Sequence, residues 1–167
     1  MNLSATTQKK GAIVTGRGPE KIQAGLDRLI TLVTMFLLAE TRKRTPQGLY
    51  GAQGGLLGSI QAEVKDKGTP IVKGSVMSAQ KYAEPIEKGR SPGKAWPPEG
   101  ALVRWIELKF GVDEVTAKRV EFVVRRKIGR RGFPGAFMFE RSATENTGRI
   151  DAMAQAEGFN IAVELDS

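Results

Sequence analysis

The sequence of 167 residues contains no cysteine and no histidine. The first absence excludes disulfides, zinc–thiolate sites and cysteine nucleophiles. The second removes the usual general base near neutral pH, the histidine of a catalytic triad and the commonest metal ligand. Together the two absences are strong evidence against a classical enzyme, and we predict no catalytic, cofactor-binding or metal-binding residues.

Long apolar runs are also scarce. The most apolar stretch, Leu29 to Ala39, is interrupted by Thr31 and Thr34 and is shorter than the roughly 20 residues that span a bilayer. The first sixteen residues lack the apolar core of a signal peptide. We therefore expect a soluble protein without a membrane partner.

The charge is unbalanced, with 26 Lys and Arg against 18 Asp and Glu and a net charge of +8. The hydrophobic fraction of 40% is that of a globular chain, and the length fits one domain that needs no disulfide or metal to fold. We predict a flexible N-terminal arm at residues 1–17 and a single domain at residues 18–167. The positive charge predicts an anionic partner, either nucleic acid or an acidic protein surface.

A long helix and a hairpin are predicted in the first half of the chain. Apolar residues recur at spacings of three and four from Ile22 to Leu37, which indicates a long N-terminal helix that Thr45-Pro46 ends. Three further segments follow: a glycine-rich flexible loop at Gly48–Gly58, a strand at Ser59–Lys65, and a return strand at Thr69–Met77 after the turn Asp66-Lys67-Gly68.

The second half of the chain is predicted to be mainly helical. The predicted helices are Pro98–Phe110, Asp113–Ile128 and Ala136–Glu157, with a loop at Gly89–Pro98 and a basic turn at Gly129–Gly135. Apolar and polar residues alternate from Phe159 to Leu165, which predicts a half-buried strand. Strands flanked by runs of helices predict an α+β fold, with an antiparallel sheet and helices packed mostly on one face.

Glycine and carboxylate motifs do not predict a nucleotide or metal site. Gly11 to Gly16 has the glycine spacing of a phosphate-binding loop, but Arg17-Gly18 stands where Lys and Ser or Thr are required. The glycines from Gly51 to Gly58 do not lead from a strand into a helix, as a dinucleotide fingerprint must. The carboxylates are scattered without paired spacing.

One helix carries most of the excess charge. Residues 118–131 hold seven basic groups and one acid, Glu121. At 100° per residue, the apolar stripe predicted for this helix lies opposite a basic face that surrounds Phe122. The stripe consists of Ala117, Val120, Val124 and Ile128, and the basic face consists of Lys118, Arg119, Arg125 and Arg126. The basic face is either a contact surface for an anionic partner or a solvated helix face.

Two tryptophans are candidates for contact or core. Trp96 lies in the loop that precedes Pro97, where it either anchors a partner contact or folds back onto its own domain. Trp105 shares a helical stripe with Leu102 and Ile106 and is predicted to lie in the core. The predicted partner-contact residues are therefore Trp96, Lys118, Arg119, Arg125 and Arg126.

Four short segments, taken in order, resemble the signatures of a family of phage tail-component proteins of the neck or tail-completion type. They are Gly54-Gly55-Leu56-Leu57-Gly58-Ser59-Ile60 after Thr45-Pro46; Tyr82-Ala83 with Glu87 and Gly89; Pro97-Pro98 before the helix with Trp105; and Arg126-Lys127-Ile128 with Gly132-Phe133-Pro134-Gly135 and Phe137-Met138-Phe139. The likeness spans residues 25–145. It departs from the family in an insertion after Pro46 and in Ala136, where the family has proline.

The resemblance implies a virion structural protein without catalytic residues, made in the host bacterial cytoplasm and assembled in the phage neck. It implies a ring, typically hexameric, between the head connector and the tail tube. The implied partners are further copies of the chain, the head connector and the tail terminator or tube proteins. DNA passes through such a ring without sequence-specific binding. Because that DNA must slide, an acidic protein neighbour is favoured over DNA as the partner of the basic helix.

Two other functions remain open from the residues alone. A nucleic-acid-binding module or regulator is supported by the basic helix with Phe122, although no helix-turn-helix, zinc or RNA-binding motif is present. An enzyme that acts through carboxylates alone is the third possibility.

Overall fold

The computed structural model describes residues 11–12, 16–46 and 55–166. Its helices are α1 Gly18–Arg44, α2 Gly55–Ser59, α3 Ala83–Lys88, α4 Val103–Phe110, α5 Glu114–Arg131, α6 Met138–Thr144 and α7 Thr147–Asp166. Its strands are β1 Ile60–Lys65, β2 Lys73–Ser78, β3 Gly89–Arg90 and β4 Phe133–Pro134. The predicted α+β class, with its long N-terminal helix and antiparallel pairing, is confirmed.

The chain divides into two compact units. Unit 1 consists of Met1–Leu38, Ala62–Val76 and Ala143–Ser167, and unit 2 consists of Ala39–Gln61 and Met77–Ser142. Most of the predicted arm, and the predicted loop up to residue 54, lie outside the described residues. The division into an arm at 1–17 and one domain at 18–167 stays a prediction.

Helix α1 begins at Gly18 and ends where Thr45-Pro46 was predicted to end it. The Thr45 hydroxyl donates a hydrogen bond to the carbonyl of Thr41, at 2.7 Å, and closes the last turn. By length and composition α1 is long and apolar enough to cross a membrane. The apolar part of the chain is therefore longer than the stretch from Leu29 to Ala39, on which the prediction of a soluble protein was based. The absence of a membrane partner stays a prediction.

In unit 1, α1 packs against β2 and α7. A Cβ atom added at Gly74 of β2 would meet the side chain of Thr34, and one added at Gly25 would meet the side chain of Ile161, in both cases closer than 3.0 Å. Polar contacts hold the same helix. The backbone N–H of Gly68 donates to Asp27 at 3.0 Å, and Arg28 forms ion pairs with two glutamates of α7, Glu157 and Glu164, each at 2.8 Å.

The C-terminal segment was predicted to be a strand, and that prediction is wrong. Residues 159–165 continue α7, and the predicted helix 136–157 is two helices that break near Asn146. The less exposed residues of α7 recur at helical spacing, at Ile150, Met153, Glu157, Ile161, Glu164 and Leu165. Phe159 and Val163, which the alternation placed in the sheet, are 70% and 54% exposed. A helix places Ile161 and the two glutamates that pair with Arg28 on the same side, toward α1. A strand would place Ile161 and Glu164 on opposite sides.

Strands β1 and β2 form the predicted hairpin as a two-stranded sheet. Ile60, Ala62 and Val64 are less exposed than the residues between them, as the alternation predicted. The return strand starts at Lys73 and not at Thr69, because the turn that begins at Asp66 is wider than three residues. Within the turn the Thr69 hydroxyl donates to the carbonyl of Asp66 at 2.7 Å.

The core of unit 2 is a small apolar cluster of Leu56, Ala83 and Met138. Ile86 and Phe139 pack against it. The predicted loop at Gly48–Gly58 is wrong for its last residues, which belong to helix α2. The burial of Leu56 anchors this glycine-rich segment. The Glu87 carboxylate accepts hydrogen bonds from the backbone N–H of Phe139 and of Glu140, at 3.1 and 3.0 Å, and so fixes the start of α6.

Strands β3 and β4 pair antiparallel, with Gly89 opposite Pro134 and Arg90 opposite Phe133. The two backbones approach so closely that a Cβ atom at Gly89, Gly132 or Gly135 would collide with the opposite main chain. The predicted basic turn at Gly129–Gly135 is wrong in its first half. Helix α5 continues to Arg131, and Gly132 ends it.

Candidate partner-contact site

The predicted contact residues lie on and around the pair of helices α4 and α5 in unit 2. Gly111 ends α4 in the left-handed conformation, at φ 64°, and its N–H bonds the carbonyl of Glu107 at 2.8 Å. Asp113 precedes α5 with extended backbone, as expected for the residue before a helix. Ile106 of α4 and Ala117 of α5 are fully buried, so one face of each helix is covered.

A buried glutamate of α5 fixes the segment that leads into α4. Glu121 is 2% exposed, and its two carboxylate oxygens accept hydrogen bonds from the backbone N–H of Gly100 and Leu102, at 3.1 and 2.9 Å. The N–H of Leu102, the residue that caps α4, is a donor that a helix start leaves without a partner inside the helix. From the sequence, Glu121 was predicted only as one acid among the basic residues of this helix. Its position as the one acid in a basic stretch was the available signal for a structural role.

Trp96 folds back onto its own unit, which was one of the two predicted alternatives. Its ring meets Phe122 edge to face, with centroids 5.8 Å apart, and its indole lies over Gly129, where a side chain would leave no room. Trp96 remains 41% exposed, so one side of the indole is still accessible.

The predicted placement of Arg125 on the solvated face is wrong. Its side chain is only 17% exposed, and its Nε donates a 2.7 Å hydrogen bond to the carbonyl of Pro97. Its Nη1 lies 4.0 Å from the carboxylate of Glu99. The helical wheel placed Arg125 by angle alone, and it does not contain the carbonyl of Pro97, which accepts the hydrogen bond from Nε.

A cavity of about 340 Å³ lies beside Trp96 and α5. It is lined by Trp96, Glu99, Gly100, Val103, Lys118, Glu121, Phe122 and Arg125. Lys118 pairs with Glu114 at 2.6 Å, and this hydrogen bond raises the pKa of Lys118 and lowers the pKa of Glu114. Three of the five predicted contact residues, Trp96, Lys118 and Arg125, therefore meet at one cavity.

The other two predicted residues, Arg119 and Arg126, lie on an exposed side of the helix that adjoins the cavity at Phe122. We call this side the α5 outer face, and it consists of Val115, Arg119, Phe122, Val123, Arg126 and Arg130. Val115, Phe122 and Val123 are 61%, 54% and 64% exposed. Within the described ranges, no carboxylate forms an ion pair with Arg119, Arg126 or Arg130. The face therefore combines apolar side chains with arginines whose charges are uncompensated.

The prediction that Trp105 lies in the core is wrong. Trp105 is 37% exposed, and of its predicted stripe only Ile106 is fully buried. Its ring meets Phe110 edge to face at 6.1 Å, and the ammonium of Lys109 lies 4.6 Å from its centroid. The exposed side of α4 thus has its own small aromatic cluster.

The described part of the chain holds no group of three or more acidic side chains arranged as a metal site. No family model, curated protein or solved structure matches the chain.

Proposed function

We propose that this chain is a structural, non-enzymatic subunit of the neck of a tailed phage, where it joins head to tail as one member of a ring. By the resemblance, the ring is hexameric, its neighbours are the head connector and the tail terminator or tube proteins, and its location is the virion. DNA passes through it without sequence-specific contacts.

The observation that carries the proposal is the α5 outer face. Exposed apolar side chains that lie between unpaired arginines are typical of protein contact surfaces, where arginine and aromatic residues are enriched. Val115, Phe122 and Val123 would lose apolar surface to a protein partner and gain little from the backbone of a nucleic acid. Guanidinium groups at Arg119, Arg126 and Arg130 suit the carboxylates of such a partner.

A second support is the position of the residues that carry the family resemblance. Leu56, Ala83 and Met138, which form the apolar cluster of unit 2, come from three of the four resembling segments. Gly132 and Gly135 of the fourth segment lie where β4 crosses β3 without room for a side chain. The resemblance therefore falls on residues that determine a fold, as it would if the likeness reflected common architecture.

The test is a phage whose copy of this gene is interrupted by an amber codon and grown in a non-suppressing host. We expect full heads and free tails that are not joined, counted by electron microscopy, and joined particles when the gene is supplied from a plasmid. Antibody against an epitope fused to the chain should label the neck. Normal infective particles that lack the chain would contradict the proposal.

The same arginines keep nucleic-acid binding as the second candidate function. Three unpaired guanidiniums on one helix face could contact phosphates, and such binding weakens steeply as salt rises. Fluorescence anisotropy with duplex DNA at several salt concentrations measures this slope. Tight binding at physiological salt with a sequence preference, together with normal particles in the amber mutant, would favour a regulator.

A further inference from the structure

Helix α7 has an exposed face that no described element covers. The face consists of Asp151, Gln155, Phe159, Val163 and Asp166, and we call it the α7 outer face. Phe159 is at its centre and is 70% exposed. The opposite side of the same helix, with Glu157 and Ile161, packs against α1. The orientation of α7 is therefore set by its inner side, and Phe159 remains at the surface.

The residues around Phe159 favour a close helix contact. Ala152, Gly158 and Ala162 are small and exposed, so a second helix can approach the backbone of α7 on this side. The only charged groups on the face are Asp151 and Asp166, one toward each end. No described basic side chain forms an ion pair with either of them.

The α5 outer face is the chemical complement of the α7 outer face. One presents Phe122 and Val123 among arginines and no acid, and the other presents Phe159 and Val163 between aspartates and no base. Asp151 and Asp166 are fifteen residues apart, about 22 Å along a helix, and Arg119 and Arg130 are eleven residues apart, about 16 Å. The flexible arginine side chains can cover a difference of about 3 Å at each end.

We infer that the α7 outer face of one copy docks on the α5 outer face of the next copy. The contact joins two different surfaces, so it is head-to-tail: it leaves one copy with a free α5 outer face and the other with a free α7 outer face, and further copies can add until a ring closes. This inference rests on the proposed function, because it supplies the ring with its contact. A nucleic acid would leave Val123 and Phe159 uncovered, and the aspartates of α7 would repel it.

The absence of cysteine makes the contact directly measurable. Val123→Cys and Phe159→Cys are placed together in one chain, and that chain is supplied during infection with the wild-type chain so that particle yield does not depend on the variant. Purified particles are oxidised, and the chain is followed by immunoblot without reductant. We expect dimers and higher multimers joined by disulfides. Each single variant should give no disulfide-linked dimer, and Lys65→Cys combined with Phe159→Cys should give no ladder.

The outcomes separate this contact from the proposed function. If the double variant is present in joined particles and gives no ladder, the contact is wrong and the neck function stands. A disulfide-linked dimer from Val123→Cys alone would indicate a symmetric contact between two α5 helices and would also overturn the inference. If the chain is absent from joined particles, the proposed function itself fails.

Charge reversal provides a second, independent readout. Asp151→Arg with Asp166→Arg places like charges opposite the arginines of α5 and should lower the yield of cross-linked multimers by at least about fivefold. Adding Arg119→Glu, Arg126→Glu and Arg130→Glu on the other face should restore the yield. A ladder that is insensitive to the first change would show that these charges do not face each other.

Discussion

The indole of Trp96 lies over Gly129 of helix α5, and a Cβ atom at position 129 would come within 3.0 Å of the ring. Gly129→Ala should therefore lower the free energy of unfolding by about 1–3 kcal/mol, because Trp96 must leave its place. Urea unfolding measures the change, and tryptophan emission in a Trp105→Phe background reports whether Trp96 becomes more exposed.

The matched control for this substitution is Gly158→Ala. Gly158 also lies inside a helix, but an added Cβ would meet nothing within 4 Å. Alanine there should raise the free energy of unfolding by about 0.5–1 kcal/mol through its better helix propensity. Equal effects of the two substitutions would mean that Trp96 does not pack on Gly129.

Removal of the Glu121 carboxylate should destabilise unit 2. In Glu121→Ala the backbone N–H groups of Gly100 and Leu102 lose their acceptor, and the expected cost is about 1–3 kcal/mol in the free energy of unfolding. Glu99→Gln changes a carboxylate that is 90% exposed and should stay within about 0.5 kcal/mol of the wild type. Chemical denaturation of the two variants, measured side by side, tests this role. Equal stability of Glu121→Ala and Glu99→Gln would show that the hydrogen bonds of Glu121 do not stabilise the fold.

Arg125 and Arg126 are adjacent in sequence and should behave oppositely when reversed. Arg125→Glu loses the bond from Nε to the carbonyl of Pro97 and puts a carboxylate one turn from Glu121, so we expect a loss of about 1.5–3 kcal/mol in the free energy of unfolding. Arg126→Glu should leave stability within about 0.5 kcal/mol of the wild type but reduce the joining of heads to tails. Thermal unfolding and plaque titre together separate the two effects; a stable Arg125→Glu protein would count against its inward position.

Acid should weaken the contact between α1 and α7. The pKa of Glu157 is lowered from its ordinary value of 4.5, first by the hydrogen bond from Arg28 and then by the one from Asn160. A carboxyl group with a lowered folded-state pKa stabilises the fold above its unfolded-state pKa, and this contribution is lost as the pH falls through the folded-state value. Unfolding followed from pH 7 to about pH 3 should show a smaller dependence for Glu157→Gln than for the wild type. Parallel curves would show that the pair contributes nothing.

The elements of the fold that could be predicted are those whose signal is local. Helix α1 has a long apolar period and a proline stop, and the β1–β2 hairpin has a clear alternation around Asp66 and Gly68. The C-terminal segment could not be predicted, because Ile161 and Leu165 fit both an alternating and a helical pattern over seven residues. The decision comes from Arg28 and Gly25, which lie far away in sequence and face α7 only in the folded unit.

The candidate site was predictable in its charge and not in its geometry. The count of basic residues located α5 correctly, and Arg119 and Arg126 lie on its exposed face as predicted. The inward turn of Arg125 depends on the carbonyl of Pro97, 28 residues away in sequence, which no helical wheel contains. Whether Trp96 would reach a partner or fold back depended on the free space above Gly129.

The crossing of β3 and β4 has a consequence for how the sequence can evolve. Because the main chains meet where no Cβ fits, selection at Gly89, Gly132 and Gly135 acts on the path of the backbone and not on any chemistry of the residue. A saturation library selected only for folded protein should return glycine alone at these three positions, while the exposed positions of α5 and α7 accept many residues. The fold therefore requires the glycines of the Gly-Phe-Pro-Gly segment, whereas the outer helix faces are free to change with the partner.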